Sequence, residues 1–402
     1  MPASNDSPLT GAVPYYARRE TVIGAAAEFI RERRAVFITF AASRAIIFTT
    51  IVLSQLVFGR GQFWYPGGLL SVLLHWDGER WYLDIARHGY YFLPGEFSNV
   101  AFFPVYPLLI KLVGFVFHDL RVAAVIVSNS CLLGAALLLH TLIRIDYKNA
   151  RVADSAVTLL MFSPVSFFFS SAYTESTFLL LAVGAFLAAR RNQWLIAWLC
   201  GAALSATRNV GVLIAVPLLL EFVRQSWRPG AGLRSLLTPR ILLLGLIPCG
   251  LGFFVLFNYL KFGEPLAFLK AGATWGRKFA SPMQTFATTL TGAWGVDAAA
   301  HEPFHRTVAV TALSAGILLW AAGIMLKVRA SYSLYAALLI AVYLCSNSLE
   351  AMGRYMSVVF PLFLVAALLA VEFRQIYKPM LATSVAALTV LTVLQANGFW
   401  IT

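Results

Sequence analysis

The stretch AFFPVYPLLIKLVGFVF, residues 101–117, decides how this chain is threaded. It is apolar and close to spanning length, yet Pro104 and Pro107 stand three apart in it and Lys111 interrupts it. If it crosses a bilayer, the basic segment containing Arg144, Lys148 and Arg151 is separated from the other short basic loops. If it lies in the interface, all of those loops share one side. Eighteen Lys and Arg residues then fall in segments on that side and twelve on the other. Basic residues accumulate in short cytoplasmic loops, so 101–117 is expected to lie in the interface of a protein with its N-terminus inside and its C-terminus outside.

Around this stretch the chain of 402 residues is 59% hydrophobic and 12% charged, with a mean hydropathy of +0.75. Soluble domains are less apolar and about 25% charged, so a polytopic all-α membrane protein is expected. Apolar runs at 35–57, 122–143, 155–173, 175–189, 194–207, 209–223, 241–260, 307–326, 332–348, 355–372 and 380–397 give eleven spans. The formal charge of +13 would suggest nucleic acid in a soluble chain, but here the basic residues flank apolar runs and no nucleic-acid partner is expected.

The expected organisation is a cytoplasmic arm at 1–34, an N-terminal transmembrane catalytic module at 35–226 with a long outer loop at 58–121, an inner linker at 227–240, and a C-terminal transmembrane part at 241–402 with an outer loop at 261–306. The arm lacks a cleavable signal pattern and is read as cytosolic, leading into a signal anchor. Cys131, Cys200, Cys249 and Cys345 fall in separate runs without C-x-x-C pairing, so neither disulfides nor a zinc site is indicated.

The first outer loop reads HWDGERWYLDIARHGYYF, residues 75–92. Asp77 ahead of Gly78, Glu79 and Arg80 has the pattern of an N-cap, and Gly89 that of a C′ residue, so 78–88 is expected to be a helix. Asp77 is then either a cap or a carboxylate held at the membrane surface, able to take a proton from a hydroxyl. Polar residues recur at the outer ends of later runs: Tyr173, Thr174 and Glu175, then Arg208 and Asn209, then Asn347, Glu350, Arg354 and Tyr355. Each is readable as a solvated turn. Together with Asp77 they describe a site for a polar substrate carrying an anionic group and presented from the bilayer. The second outer loop, KFGEPLAFLKAGATWGRKF at 261–279, adds Lys270, Arg277 and Lys278 beside Phe268 and Trp275, a basic aromatic surface suited to lipid headgroups. His301, Glu302 and His305 match H-E-x-x-H literally, but Pro303 breaks the single helical face that this zinc motif requires, and no metal site is expected.

HWDGERWYLDIARHGYYF, AFFPVYPLLIKL, FSPVSFFFSSAYTES, ATRNVG, FGEPLAF with TWGRKF, and SLEAMGRYMSVVFPLF occur in the order of the PIG-V-type mannosyltransferases. The chain resembles this GT-C glycosyltransferase family over about residues 35–372. The resemblance implies metal-independent, inverting transfer of mannose from a polyprenyl phosphate sugar donor to a lipid-linked or glycan acceptor on the extracytoplasmic or lumenal face, without a cofactor. It implies two juxtamembrane helices in the first outer loop, Asp77 as catalytic base and Glu175 as the second acidic position. Arg208 and Arg354, with Arg277 and Lys278, would hold the donor phosphate. His75, Trp76, Glu79, Arg80, Tyr106, Tyr173, Asn209, Glu350 and Tyr355 are expected to line the substrate. A multi-pass protein of a bacterial plasma or inner membrane, or of the endoplasmic reticulum, follows. The short later loops depart from the family and leave the acceptor open. A different reading of the same residues is a transporter or flippase of an anionic lipid-linked substrate, although such proteins carry ionisable groups at the midplane rather than at span ends.

Overall fold

The computed structural model describes residues 27–58, 68–227, 238–276, 278–291, 303–399 and 401, and singly Gly24, Gly230, Gly232 and Leu236. Among these the chain is helical, and its one β-type contact is the bridge Phe279–Ser346. The helices are α1 (Arg34–Phe58), α2 (Gly68–Leu74), a π-helical turn Gly78–Leu83 running into α3 (Asp84–His88), α4 (Val105–Phe117), α5 (Leu120–Tyr147), α6 (Ala150–Met161), α7 (Glu175–Arg190) and α8 (Trp194–Ser205). They continue with α9 (Asn209–Ser226), α10 (Pro239–Phe262), α11 (Ala267–Ala273), α12 (Pro282–Thr291), α13 (Pro303–Met325), α14 (Ala330–Leu344), α15 (Met352–Ser357), α16 (Phe360–Glu372) and α17 (Arg374–Ala396).

Six of these, α1, α5, α9, α10, α13 and α17, are long and apolar enough to cross a membrane. The other five expected runs form helices of only 12 to 16 residues. They are shortened because polar and proline-bearing segments end them early: α6 stops at Met161, before Ser163 and Pro164, and α14 stops before Ser346 and Asn347. Among the described residues the fold is all-α, as expected.

The deciding stretch forms α4, a helix of 13 residues. α4 folds back along the first third of α5, where Gly114 leaves room for Leu120 and the Tyr106 hydroxyl reaches Ala124 O at 3.2 Å and Ser128 Oγ at 2.8 Å. At its start the Val105 amide donates to Ala206 O. α4 therefore stays at the Leu120 end of α5 and never approaches the Asp146 end. Asp119 caps α5 by accepting from the amides of Arg121 and Val122.

Two layers of charge tie the bundle. One contains Glu175, the first residue of α7, and the other Arg190, its last. At 1.5 Å per residue they are about 22 Å apart, less than the ~30 Å hydrocarbon thickness. α10 runs well past the Glu175 layer: its Gly250 packs on the Ala202 carbonyl of α8, an approach that a Cβ would block at 1.9 Å, and it then continues twelve residues to Phe262. The first layer is thus a recess beside longer helices. Pro303 is the first residue of α13, where proline is favoured. His301 and Glu302, Arg277, most of the 1–34 arm and half of the 227–240 linker lie outside the described residues.

Candidate functional site

Asp77 is carried to the recess by a sharp reversal. Trp76 takes a left-handed backbone (φ +65°), and Asp77 follows with φ −68° and ψ −29°, already helical. Its carboxylate makes no cap hydrogen bond, so the N-cap reading is corrected. An N-cap needs extended backbone to turn its side chain onto the first-turn amides. Here the carboxylate faces Arg354 instead, with Nη1 at 3.4 Å from Oδ2. The helix over 78–88 forms as expected and ends at Gly89, φ +82°. Gly78 is required by close approach: a Cβ there would stand 2.8 Å from the Ala172 side chain, and the Ala172 amide donates to Leu73 O at 2.8 Å.

The 162–174 segment that supplies Tyr173 and precedes Glu175 is held by a residue that the sequence reading passed over. Arg44, buried in α1, donates to Met161 O, Ser166 O, Ser166 Oγ and Ser170 Oγ at 2.5–3.1 Å. All of these acceptors are neutral. The signal available in the sequence was a lone arginine inside an otherwise apolar run.

Glu175 joins the two cationic residues. Its Oε1 lies 2.9 Å from Arg208 Nη1 and 3.3 Å from Arg354 Nε, and among the described residues Oε2 has no hydrogen-bond partner. The Arg354 guanidinium stands 4.7 Å over the Tyr173 ring and Arg208 4.8 Å over Tyr355, which stacks on Tyr343 at 4.5 Å. Ala351, three residues before Arg354, is again left-handed (φ +65°). Non-glycine residues in that region are strained, and here they bracket both members of the Asp77–Arg354 pair. The two carboxylates differ in access: the Asp77 side chain is 24% exposed and that of Glu175 1%.

Beside Arg208 is a cavity of about 190 Å³, which Asn209, Glu350 and Tyr355 line together with Tyr343 and Trp275. Trp275 packs edge-on against Trp81, Phe97 and Phe102, and Lys261 Nζ donates to Tyr90 O, so the two long loops roof the recess together. Lys278 is exposed, its amide pinned to Asn347 Oδ1. His75 lies edge-on to Trp76, and burial pushes its pKa down to about 4, leaving it neutral at neutral pH.

Three expected lining residues lie elsewhere. Tyr106 is fully buried in the α4–α5 contact and offers no surface to a substrate. Glu79 pairs on the surface with Arg87 at 3.0 Å and Arg121 at 3.5 Å, and Arg80 covers Trp81 and Phe97.

The comparisons with known proteins follow the same geometry. Residues 44–224 match the family described as Mannosyltransferase (PIG-V). The matched region begins at Arg44 and contains Asp77, Glu175 and Arg208, whereas Arg354 comes from beyond it. GPI mannosyltransferase pigv-1 of Caenorhabditis elegans is 32% identical over 135 residues, 30% of this chain and 19% of that protein. GPI alpha-1,6-mannosyltransferase 2 of Homo sapiens is 31% identical over 166 residues, 38% of this chain and 32% of that protein. The PIG-V match therefore spans a third or less of the length of these relatives. In overall fold the chain is similar to ArnT from Cupriavidus metallidurans bound to undecaprenyl phosphate, with a TM-score of 0.50 at 12% identity, covering 92% of this chain and 77% of that one.

Proposed function

We propose that this protein transfers a mannose-like sugar from a polyprenyl phosphate donor to a hydroxyl of a lipid-linked or glycan acceptor, with inversion, on the extracytoplasmic or lumenal face. The observation that carries the reading is Arg354 bridging Asp77 and Glu175 at 3.4 and 3.3 Å. An accessible carboxylate thereby stands beside guanidiniums that a buried carboxylate holds in place. Asp77 takes the proton of the acceptor hydroxyl, and the oxygen attacks the anomeric carbon from the face opposite the phosphate. The bond to the phosphate oxygen breaks, and Arg354 and Arg208 receive the developing charge.

The electrostatics favour this order. Asp77, Glu175, Arg208 and Arg354 sum to zero at rest. As Asp77 becomes neutral by accepting the proton, the cluster turns net positive in step with the charge growing on the phosphate. A donor of the polyprenyl phosphate class is consistent with a recess flanked by lipid-facing helices and with the undecaprenyl phosphate bound by the structural neighbour.

The test incubates purified protein in detergent with a panel of polyprenyl phosphate sugars and identifies lipid products by mass spectrometry. Transfer needs no sealed membrane, so a new glycolipid is expected, and chelator leaves the yield nearly unchanged. Absence of product with every donor, combined with movement of a lipid-linked sugar across vesicles, would establish the transporter reading instead.

A further inference from the structure

At the end of the bundle remote from Asp77, a cavity of about 210 Å³ opens between the start of α1 and the last turns of α5, lined by Glu32, Arg33, His140, Thr141, Arg144 and Ile145. His140 is 3% exposed, and its Nε2 lies 3.1 Å from Asp154 Oδ1. Its Nδ1 is buried and, among the described residues, has no hydrogen-bond partner; the same holds for Arg33 Nε. Arg33 is otherwise fixed by Glu32 at 3.2 Å and by the Phe29 ring at 4.1 Å, while Arg144 is exposed at the rim. Buried polar atoms are nearly always satisfied in native folds, and those that are not often mark a missing ligand. Here two of them belong to residues lining one hollow that two guanidiniums also line.

We infer that this hollow binds a phosphate group, separate from the reaction site: His140 stands twelve residues beyond Ser128 along α5, about 18 Å away. An anion there is met by the guanidiniums of Arg33 and Arg144 through charge-assisted bonds, and the Arg33 Nε–H gains the partner it lacks among the described residues. Phe29 and Ile30, just before α1, and Ile38 within it expose apolar side chains, where the acyl chains of a lipid would lie. The same chemistry is available from free phosphate, and the experiment separates the two sources.

Full-length protein, delipidated in neutral detergent, is titrated with dioctanoyl phosphatidylglycerol, with inorganic phosphate and with dioctanoyl phosphatidylcholine, reading thermal unfolding and bound mass by native mass spectrometry. Saturable stabilisation and one bound lipid are expected with phosphatidylglycerol and not with phosphatidylcholine. Arg33→Gln and Arg144→Gln are each expected to weaken binding about tenfold, the loss of one charge-assisted bond. Arg144 is exposed, so its variant keeps the fold even if Arg33→Gln does not. Inorganic phosphate acting alone, with the same loss in the variants, would support the site with a soluble ion as its source. Equal effects of phosphatidylcholine, no effect of any probe, or binding unchanged by Arg144→Gln would overturn it. Neither readout depends on sugar transfer.

Discussion

The two ends of the bundle hold the same inventory, two carboxylates and two arginines, arranged to opposite effect. At the Arg190 end, Arg329 grips Glu221 through two bonds of 2.6 and 2.8 Å, Ser331 and Gln225 complete the carboxylate, and Arg190 pairs with Asp146 at 2.7 Å, with Tyr332 on its other oxygen. At the Asp77 end Arg208 holds Glu175 at 2.9 Å, but both carboxylate contacts of Arg354 lengthen to 3.3 and 3.4 Å, one Glu175 oxygen has no partner among the described residues, and ring faces lie over the guanidiniums. A saturated buried network fixes four helices, α5, α7, α9 and α14, in one arrangement. An unsaturated one can exchange partners with a phosphate and a hydroxyl without first breaking its best bonds. Binding capacity in this molecule is therefore visible as incomplete pairing, not as charge alone.

The largest effect should come from the saturated layer. Glu221→Ala takes the buried carboxylate from the half-buried Arg329 and Arg190 that share it, and removing one partner of a buried pair costs up to about 3–5 kcal/mol. Unfolding in detergent should show that loss, while Glu175→Gln, whose second oxygen has no partner to lose, should be clearly milder. Equal losses would mean that the two layers are equivalent and would dissolve the comparison.

Next comes the proton. Asp77→Asn retains the shape of the side chain but cannot accept a proton from the acceptor, so transfer should fall at least ~100-fold. Because Asp77 makes no cap bond, the melting temperature should hardly move. A normally folded variant with near-normal transfer would remove Asp77 from the chemistry and shift the search to Glu175.

Much of this end was legible in the sequence because tight turns betray charge. Glu175 opens a helix with almost no loop to solvate it, and Arg208 and Arg354 recur at comparable turns, so a common face could be read without coordinates. The opposite end was not legible. Glu221 lies inside AVPLLLEFVRQS and reads as an acid near a helix end; its partner Arg329 is 108 residues away, a pairing that only packing creates. Arg44 was missed for the same reason, since its acceptors lie 117 to 126 residues on. Tyr106 was expected to line the substrate, whereas the α4–α5 hairpin, closed at Gly114, buries it, a contact that only packing creates. Helix ends were not legible either, since hydropathy does not register where serine, proline or asparagine ends a helix early.

The smallest predicted effect is the sharpest test of the contrast, and it compares two tyrosines on α14. Tyr332 bonds Asp146 in the saturated layer, whereas the buried Tyr343 hydroxyl, beside the Arg208 cavity, has no hydrogen-bond partner among the described residues. Tyr332→Phe deletes a bond to a charged group, worth about 1.5–3 kcal/mol. Tyr343→Phe deletes a hydroxyl that is already desolvated without return, so its stability should be unchanged or slightly higher. If that hydroxyl waits for the substrate, the same variant should raise the KM for the sugar donor while leaving the melting temperature alone, the trade expected where a site is kept locally unsatisfied for function. Measuring unfolding and donor KM for both variants separates the cases: matched stability losses with an unchanged KM would mean that incomplete pairing around Tyr343 carries no functional information.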